Sequence, residues 1–131
     1  MQEKLRYSDL TPFQQKVITN GCGASNSLFN PPEFKFKASC NQHDFYYWRG
    51  GNEEDRKLAD KQFYDAMVED SKLCSNIFSK TTHLITAKIY YVSVSLFGKK
   101  HFYYTDKPRG MREVLELVEL ERIRIKEDRK S

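Results

Sequence analysis

No run of apolar residues in this chain approaches the roughly 20 that a helix needs to cross a bilayer. The start, Met1-Gln2-Glu3-Lys4-Leu5-Arg6, has neither the apolar stretch nor the small-residue cleavage site of a secretory signal. As written, the chain reads as soluble. Cysteine is scarce too. Cys22, Cys40 and Cys74 are too few for a disulfide-dense scaffold, and without a CxxC pair a structural zinc site is not expected. One bridge plus one thiol, or three free thiols, would fit that count equally. Charge of one sign is also lacking: 22 Lys and Arg against 18 Asp and Glu leave +4. That is far from the imbalance of a dedicated nucleic-acid binder, so no nucleic-acid partner is expected. The small excess suits an anionic membrane or substrate, or simply a solvated surface. There is no G-x-S-x-G, so a serine nucleophile on an elbow turn is unsupported.

What is present argues for a folded chain. Of 131 residues, 39% are hydrophobic and 14% aromatic, enough for one modest core and one domain over residues 1–131, with a core from about 7 to 105 and a helix over 110–129. No internal repeat or linker divides it. From Tyr7 to Asn20 the pattern of Leu10, Phe13, Val17 and Ile18 predicts a helix with Pro12 near its first turn. Asn20-Gly21-Cys22-Gly23-Ala24-Ser25-Asn26-Ser27 breaks every periodicity and predicts a tight loop with exposed backbone carbonyls. Phe34-Lys35-Phe36-Lys37 leads into the next helix; its alternation fits either phenylalanines dipping into an interface or a half-buried segment.

That next helix stops at Gly50-Gly51, and Asn52 is placed to cap its successor, with Glu53, Glu54 and Asp55 matching the positive end of the dipole. Leu58, Phe63, Ala66, Met67, Leu73, Cys74 and Ile77 are its expected apolar face, with Cys74 a buried thiol. Thr82 to Phe97 reads as a helix with Ile85, Ile89, Val92 and Leu96 as its stripe, although Val92 to Leu96 alternates like a strand. After the turn Asp106 to Gly110, Met111 to Arg129 reads as a terminal helix carrying Met111, Val114, Leu115, Val118 and Ile125 on one face. Leu117 and Leu120 widen that face enough to cover a partner. His83 and His101 are expected at the surface or in turns, and Trp48 in the core or at its rim.

Chemistry concentrates in Cys40-Asn41-Gln42-His43-Asp44-Phe45-Tyr46-Tyr47. His43 and Tyr47, four apart, project from one helical face, and Asp44 sits a quarter-turn round. Asp60 follows in Asp60-Lys61-Gln62-Phe63 and can face His43 if the two helices pack antiparallel. A base, an orienting carboxylate and a spare carboxylate for a metal suffice for hydrolysis by water. A His-Asp pair alone would say little; the joint spacing of the glycine loop, Cys40, His43, Tyr47 and Asp60 says more.

Together with Asn20-Gly21-Cys22-Gly23, these residues resemble the phospholipase A2 superfamily, in its shorter bacterial and fungal branch, over roughly Thr11 to Met67. The resemblance implies an all-α fold in which an antiparallel helix pair carries the site beside a calcium loop, here with an additional C-terminal helix. It implies Ca²⁺-dependent hydrolysis of the sn-2 acyl ester of glycerophospholipids at a membrane surface, and a secreted or exported protein. His43 would be the general base and Asp60 would fix its tautomer. Tyr47 would hydrogen-bond Asp60, while Asp44, Asn20 and Gly21 would hold the metal. Cys22 and Cys40 look like the pair that ties loop to helix. A histidine titrates near 6.5 when unperturbed, which suits a base at neutral pH, and Ca²⁺ takes six to eight oxygens of the kind such a loop supplies. One departure is Asn20, where the bacterial branch has aspartate. The lost charge implies weaker calcium binding and leaves open a catalytically weak module that binds membranes or a protein partner.

Overall fold

The computed structural model describes residues 3–19 and 36–130, and these described residues form five α-helices. They are α1 (Pro12–Ile18), α2 (Lys37–Arg49), α3 (Glu53–Ser71), α4 (Ile77–Phe97) and α5 (Met111–Lys130). No strand forms among the described residues; the one sheet-like contact is an isolated bridge between Gly51 and Tyr104. The fold is all-α, as expected. The loop from Asn20 to Glu33 with Phe34 and Lys35 lies outside the described residues.

The starts of α1, α3 and α4 have a local cause in a side-chain cap. Thr11 accepts from the Gln14 N–H while Gln14 returns a bond to the Thr11 N–H, closing a capping box ahead of Pro12. The helix expected from Tyr7 therefore begins later: Tyr7–Asp9 is a short 3-10 turn, and Leu10 is extended. Asn52 caps α3 by the same reciprocal arrangement with Asp55. Asn76 caps α4 through the Ser79 N–H at 2.7 Å.

Between α2 and α3 the chain reverses at Gly50, whose φ of 81° is left-handed. A Cβ there would lie 2.3 Å from the Tyr103 carbonyl oxygen, so only glycine fits. The segment after α4 docks on this corner. Tyr103 N–H donates to the Tyr47 carbonyl, Gly51 N–H to that of Tyr103, and Arg109 N–H to that of Arg49. Arg109 also stacks over the rings of Tyr103 and Trp48. Trp48 is half-buried against Phe45, at the rim of the core.

The helix α2 is central. Cys40 on one side packs with Phe36, Phe63, Met67, Ala87 and Tyr90. Phe45 on another packs with Leu10, Val114 and Val118. Tyr47 packs with Ala59 and Phe102. A helix buried on several sides has no single apolar stripe, and α2 places Ser39, Cys40, His43, Phe45, Tyr47 and Arg49 in the interior.

Several expected faces are displaced. The helix α3 ends at Ser71, so Leu73 and Ile77 are exposed and Cys74 is a half-buried free thiol in the following turn. Leu58 is also exposed. On α4 the buried stripe is His83, Ala87 and Tyr90, with Val94 packed beside it; Ile85, Ile89, Val92 and Leu96 point outward. Helices α3 and α4 approach closely, which selects small Ala87 over a branched residue at the contact. His83 is correspondingly buried: its Nδ1 lies 2.7 Å from the Ser79 carbonyl and its ring meets Phe36 edge-on. His101 is exposed, as expected. Phe36 is buried rather than interfacial. On α5, Val114 and Val118 are buried with Leu117 and Ile125 partly covered, while Met111 and Leu115 are exposed.

Met67 is fully enclosed, whereas Leu73 is largely in solvent. Met67→Ala should therefore cost about 2–5 kcal/mol and Leu73→Ala less than about 0.5 kcal/mol. Denaturant unfolding midpoints of the two variants check this; equal shifts would contradict the packing.

Candidate functional site

The site is built where the middle of α2 faces the first half of α3. His43 and Tyr47, one turn apart on α2, both reach Asp60 on α3. His43 Nε2 lies 2.8 Å from Asp60 Oδ1, and Tyr47 Oη donates to that same oxygen at 2.6 Å. All three side chains are buried, with Asp60 at 2% exposure. A buried carboxylate is tolerable only when its lone pairs are filled. The other oxygen, Oδ2, accepts from Arg56 Nη1 at 3.0 Å. Oδ1 of Asp60 thus faces the His43 ring and the Tyr47 hydroxyl and Oδ2 the charged Arg56, which keeps Asp60 an acceptor and gives Nε2 of a neutral His43 the proton. Nδ1 is the ring nitrogen left over from this pairing, with a lone pair for another proton.

The imidazole is held by rings as well. Phe63 stacks on it at 4.4 Å between centroids, and Tyr47 lies 4.2 Å away. Phe102 meets the Tyr47 ring edge-on at 5.2 Å. Burial, then the hydrogen bond to Asp60, push the Tyr47 phenol well above its ordinary value, so it stays a donor throughout the working pH range.

Sequence reasoning missed Arg56. It is 4% exposed and lies between two carboxylates on its own helix, Glu53 one turn before and Asp60 one turn after. The spacing Glu53-x-x-Arg56-x-x-x-Asp60 was its signal, since i, i+3 and i, i+7 share a face. Glu53 accepts from Arg56 Nε at 3.1 Å and from Tyr104 Oη at 2.6 Å. Those two hydrogen bonds, Arg56 first, hold the Glu53 carboxyl down at about 2. Bonding to Glu53 in turn raises Arg56 further above its already high value. Gly98 was missed too: a Cβ there would sit 2.3 Å from Tyr47 Oη.

Asp44 follows His43 on α2 and is half-exposed. It is not among the partners of Asp60, which are His43, Tyr47 and Arg56. Asn20, Gly21 and Cys22 lie outside the described residues, so the expected loop ligands and the expected partner of Cys40 are not placed. Among the described residues no group of three or more His, Cys, Asp or Glu forms a metal cage. That does not conflict with a calcium site of one carboxylate plus loop carbonyl and amide oxygens. A cavity of about 480 Å³ lined by Lys4, Tyr46, Arg49, Asp55 and Gln62 shares no residue with the Asp60 network. Its charged groups are already engaged, Asp55 with Lys4 at 2.7 Å and with Arg49 at 3.7 Å.

Glu53 is depressed from 4.5 to about 2, so its contribution is complete above pH 4.5 and lost as pH falls through about 2. Glu53→Gln should therefore be less stable than the parent above pH 4.5 and converge with it near pH 2. Urea titrations across that range check the sign; a gap that widens on acidification would contradict it. Arg56→Met, which strips a buried partner from Asp60, should cost about 3–5 kcal/mol.

Against known proteins, the family model for prokaryotic phospholipase A2 matches residues 4–98, a span that holds α1 to α4 and every member of the network except Tyr104. No curated protein and no solved structure matches the chain.

Proposed function

Since the chain belongs to the prokaryotic phospholipase A2 family, we propose that it hydrolyses the sn-2 acyl ester of glycerophospholipids with Ca²⁺, releasing a fatty acid and a lysophospholipid. The observation that carries this reading is the 2.8 Å contact of His43 Nε2 with a buried, triply bonded Asp60. It commits Nε2 to the carboxylate and leaves Nδ1 as the base.

In this mechanism Nδ1 of His43 takes a proton from water as the water oxygen attacks the ester carbonyl carbon. The imidazolium that forms is steadied by Asp60 and later returns its proton to the departing glycerol oxygen. Positioned proton transfer of this kind is worth on the order of 10²–10⁴-fold. Tyr47 and Arg56 hold Asp60 in place and so act on the imidazole indirectly. The tetrahedral intermediate carries negative charge on the former carbonyl oxygen, and a bound Ca²⁺ supplies Lewis-acid stabilisation for it. Asp44, the Asn20 amide oxygen and the Gly21 carbonyl are the residues that would hold the ion, all hard oxygen donors suited to it. A Cys22–Cys40 bridge would anchor that loop at the start of α2.

A second reading, a module that binds membranes without turnover, is favoured by Asn20, which removes one charge from the proposed ligand set. Fatty-acid release from phospholipid vesicles, with calcium and with excess chelator, separates the two. The proposal expects release that the chelator stops, loss of about 10²-fold or more in His43→Asn, and a smaller loss in Tyr47→Phe. Absence of release at every calcium concentration would end the enzymatic reading.

A further inference from the structure

The outer face of α4 is apolar and exposed, with no packing partner among the described residues. Phe78, Ile85, Ile89, Val92 and Leu96 are all exposed, Phe78 at 81% and Leu96 at 67%. At 100° per residue these five fall within one narrow stripe, directly opposite the buried His83, Ala87 and Tyr90. From Phe78 to Leu96 the stripe runs about 27 Å. Ile77, 82% exposed, sits at its N-terminal end, and Phe97 at the other.

Charge on α4 and the segments flanking it in sequence is of one sign. Between Asp70 and Asp106 there is no acidic residue, although the chain holds 18, while Lys72, Lys80, Lys88, Lys99 and Lys100 all fall there. Lys72 is paired with Glu69, but the other four form no ion pair among the described residues. Lys88 lies beside the stripe, its ammonium over the rings of Tyr64 and Tyr91. An apolar stripe with cations and no anions is repelled by its own copy in a two-fold pairing, where lysines would meet lysines. It complements an apolar interior edged by negative charge. No described helix is long and apolar enough to cross a membrane, so the stripe suits lying on one.

We propose that the outer face of α4 is the surface by which this protein lies on an anionic phospholipid interface, its apolar stripe at the acyl boundary and its lysines among the phosphates. The inference deepens the phospholipase reading and rests on it for the link to catalysis. The C-terminal end of α4 adjoins the site, because Gly98 is packed against Tyr47 Oη. Docking along the stripe therefore sets that end of the bundle beside the lipid, with the buried Tyr47 and Asp60 side chains behind it.

The test separates binding from turnover by using vesicles of ether-linked phospholipid, which offer no ester to cut. Wild-type protein and Ile85→Glu/Ile89→Glu/Leu96→Glu are co-sedimented with vesicles of ether-linked phosphatidylglycerol and phosphatidylcholine, and with the phosphatidylcholine alone. Wild type should prefer the anionic vesicles. The triple variant should bind them about tenfold more weakly or worse, and Lys88→Gln/Lys99→Gln/Lys100→Gln should lose the preference. If the triple variant lost its helical circular dichroism, Ile89→Glu alone would decide by the same readout. Unchanged binding, or a wild-type dimer that the glutamates split, overturns the proposal. A dispersed short-chain phospholipid should be hydrolysed equally by wild type and triple variant. Binding lost without hydrolysis by either protein would remove the enzyme and leave the docking surface standing.

Discussion

A carboxylate withdrawn from water has to be surrounded by donors, and Asp60 is that carboxylate here. Its two oxygens are filled by His43, Tyr47 and Arg56. Removing any donor leaves part of an ion desolvated and unpaired, the expensive case for buried charge. The requirement fixes more than a side chain. Both α2 donors reach a single oxygen, so α2 and α3 have one workable register; sliding one helix by a residue, about 1.5 Å, would break both bonds. Glu53 and Tyr104 extend the constraint through Arg56 to the segment after α4. Gly50 and Gly98 are glycines because the backbone and the Tyr47 hydroxyl come too near for a Cβ. Stability and the proposed chemistry thus share one network, in which the donors that make Asp60 tolerable include the imidazole itself.

How much of this was legible in the sequence depended on how local the cause was. His43 and Tyr47 share a face because of helix geometry within one turn, and Asp60 could be assigned across a short two-glycine corner. The cap at Asn52 and the terminal helix, expected over Met111 to Arg129 and observed over Met111 to Lys130, were equally local. Arg56 escaped because an arginine on a surface-like charged helix, among Glu53, Glu54, Asp55 and Lys57, looks solvated. Only the neighbouring helix makes it interior. The face of α4 misled for the complementary reason. Periodicity marks where apolar residues lie, not which side is packed, and close approach of α3 favoured Ala87 with His83 and Tyr90 over the branched stripe. The expected buried positions Leu58, Leu73 and Ile77 failed likewise, the last two because α3 ends at Ser71, ahead of both.

The outward stripe of α4 is where the fold meets the proposed docking. A helix that packs through small and polar residues and faces outward with isoleucines departs from what a lone globular domain needs. For a family whose substrates form surfaces, it gives the departure a use. The end of that helix touches the site only through Gly98 against Tyr47, and α5 on the far side of α2 completes the core through Val114 and Val118 without entering the network.

The most direct check of the account is the tautomer of His43, read from its ring nitrogens by ¹⁵N NMR at a pH where the imidazole is neutral. The Asp60 clasp predicts the proton on Nε2 and a bare lone pair on Nδ1, with that preference weakened in Asp60→Asn. A neutral ring carrying its proton on Nδ1, or one indifferent to the replacement of Asp60, would contradict it.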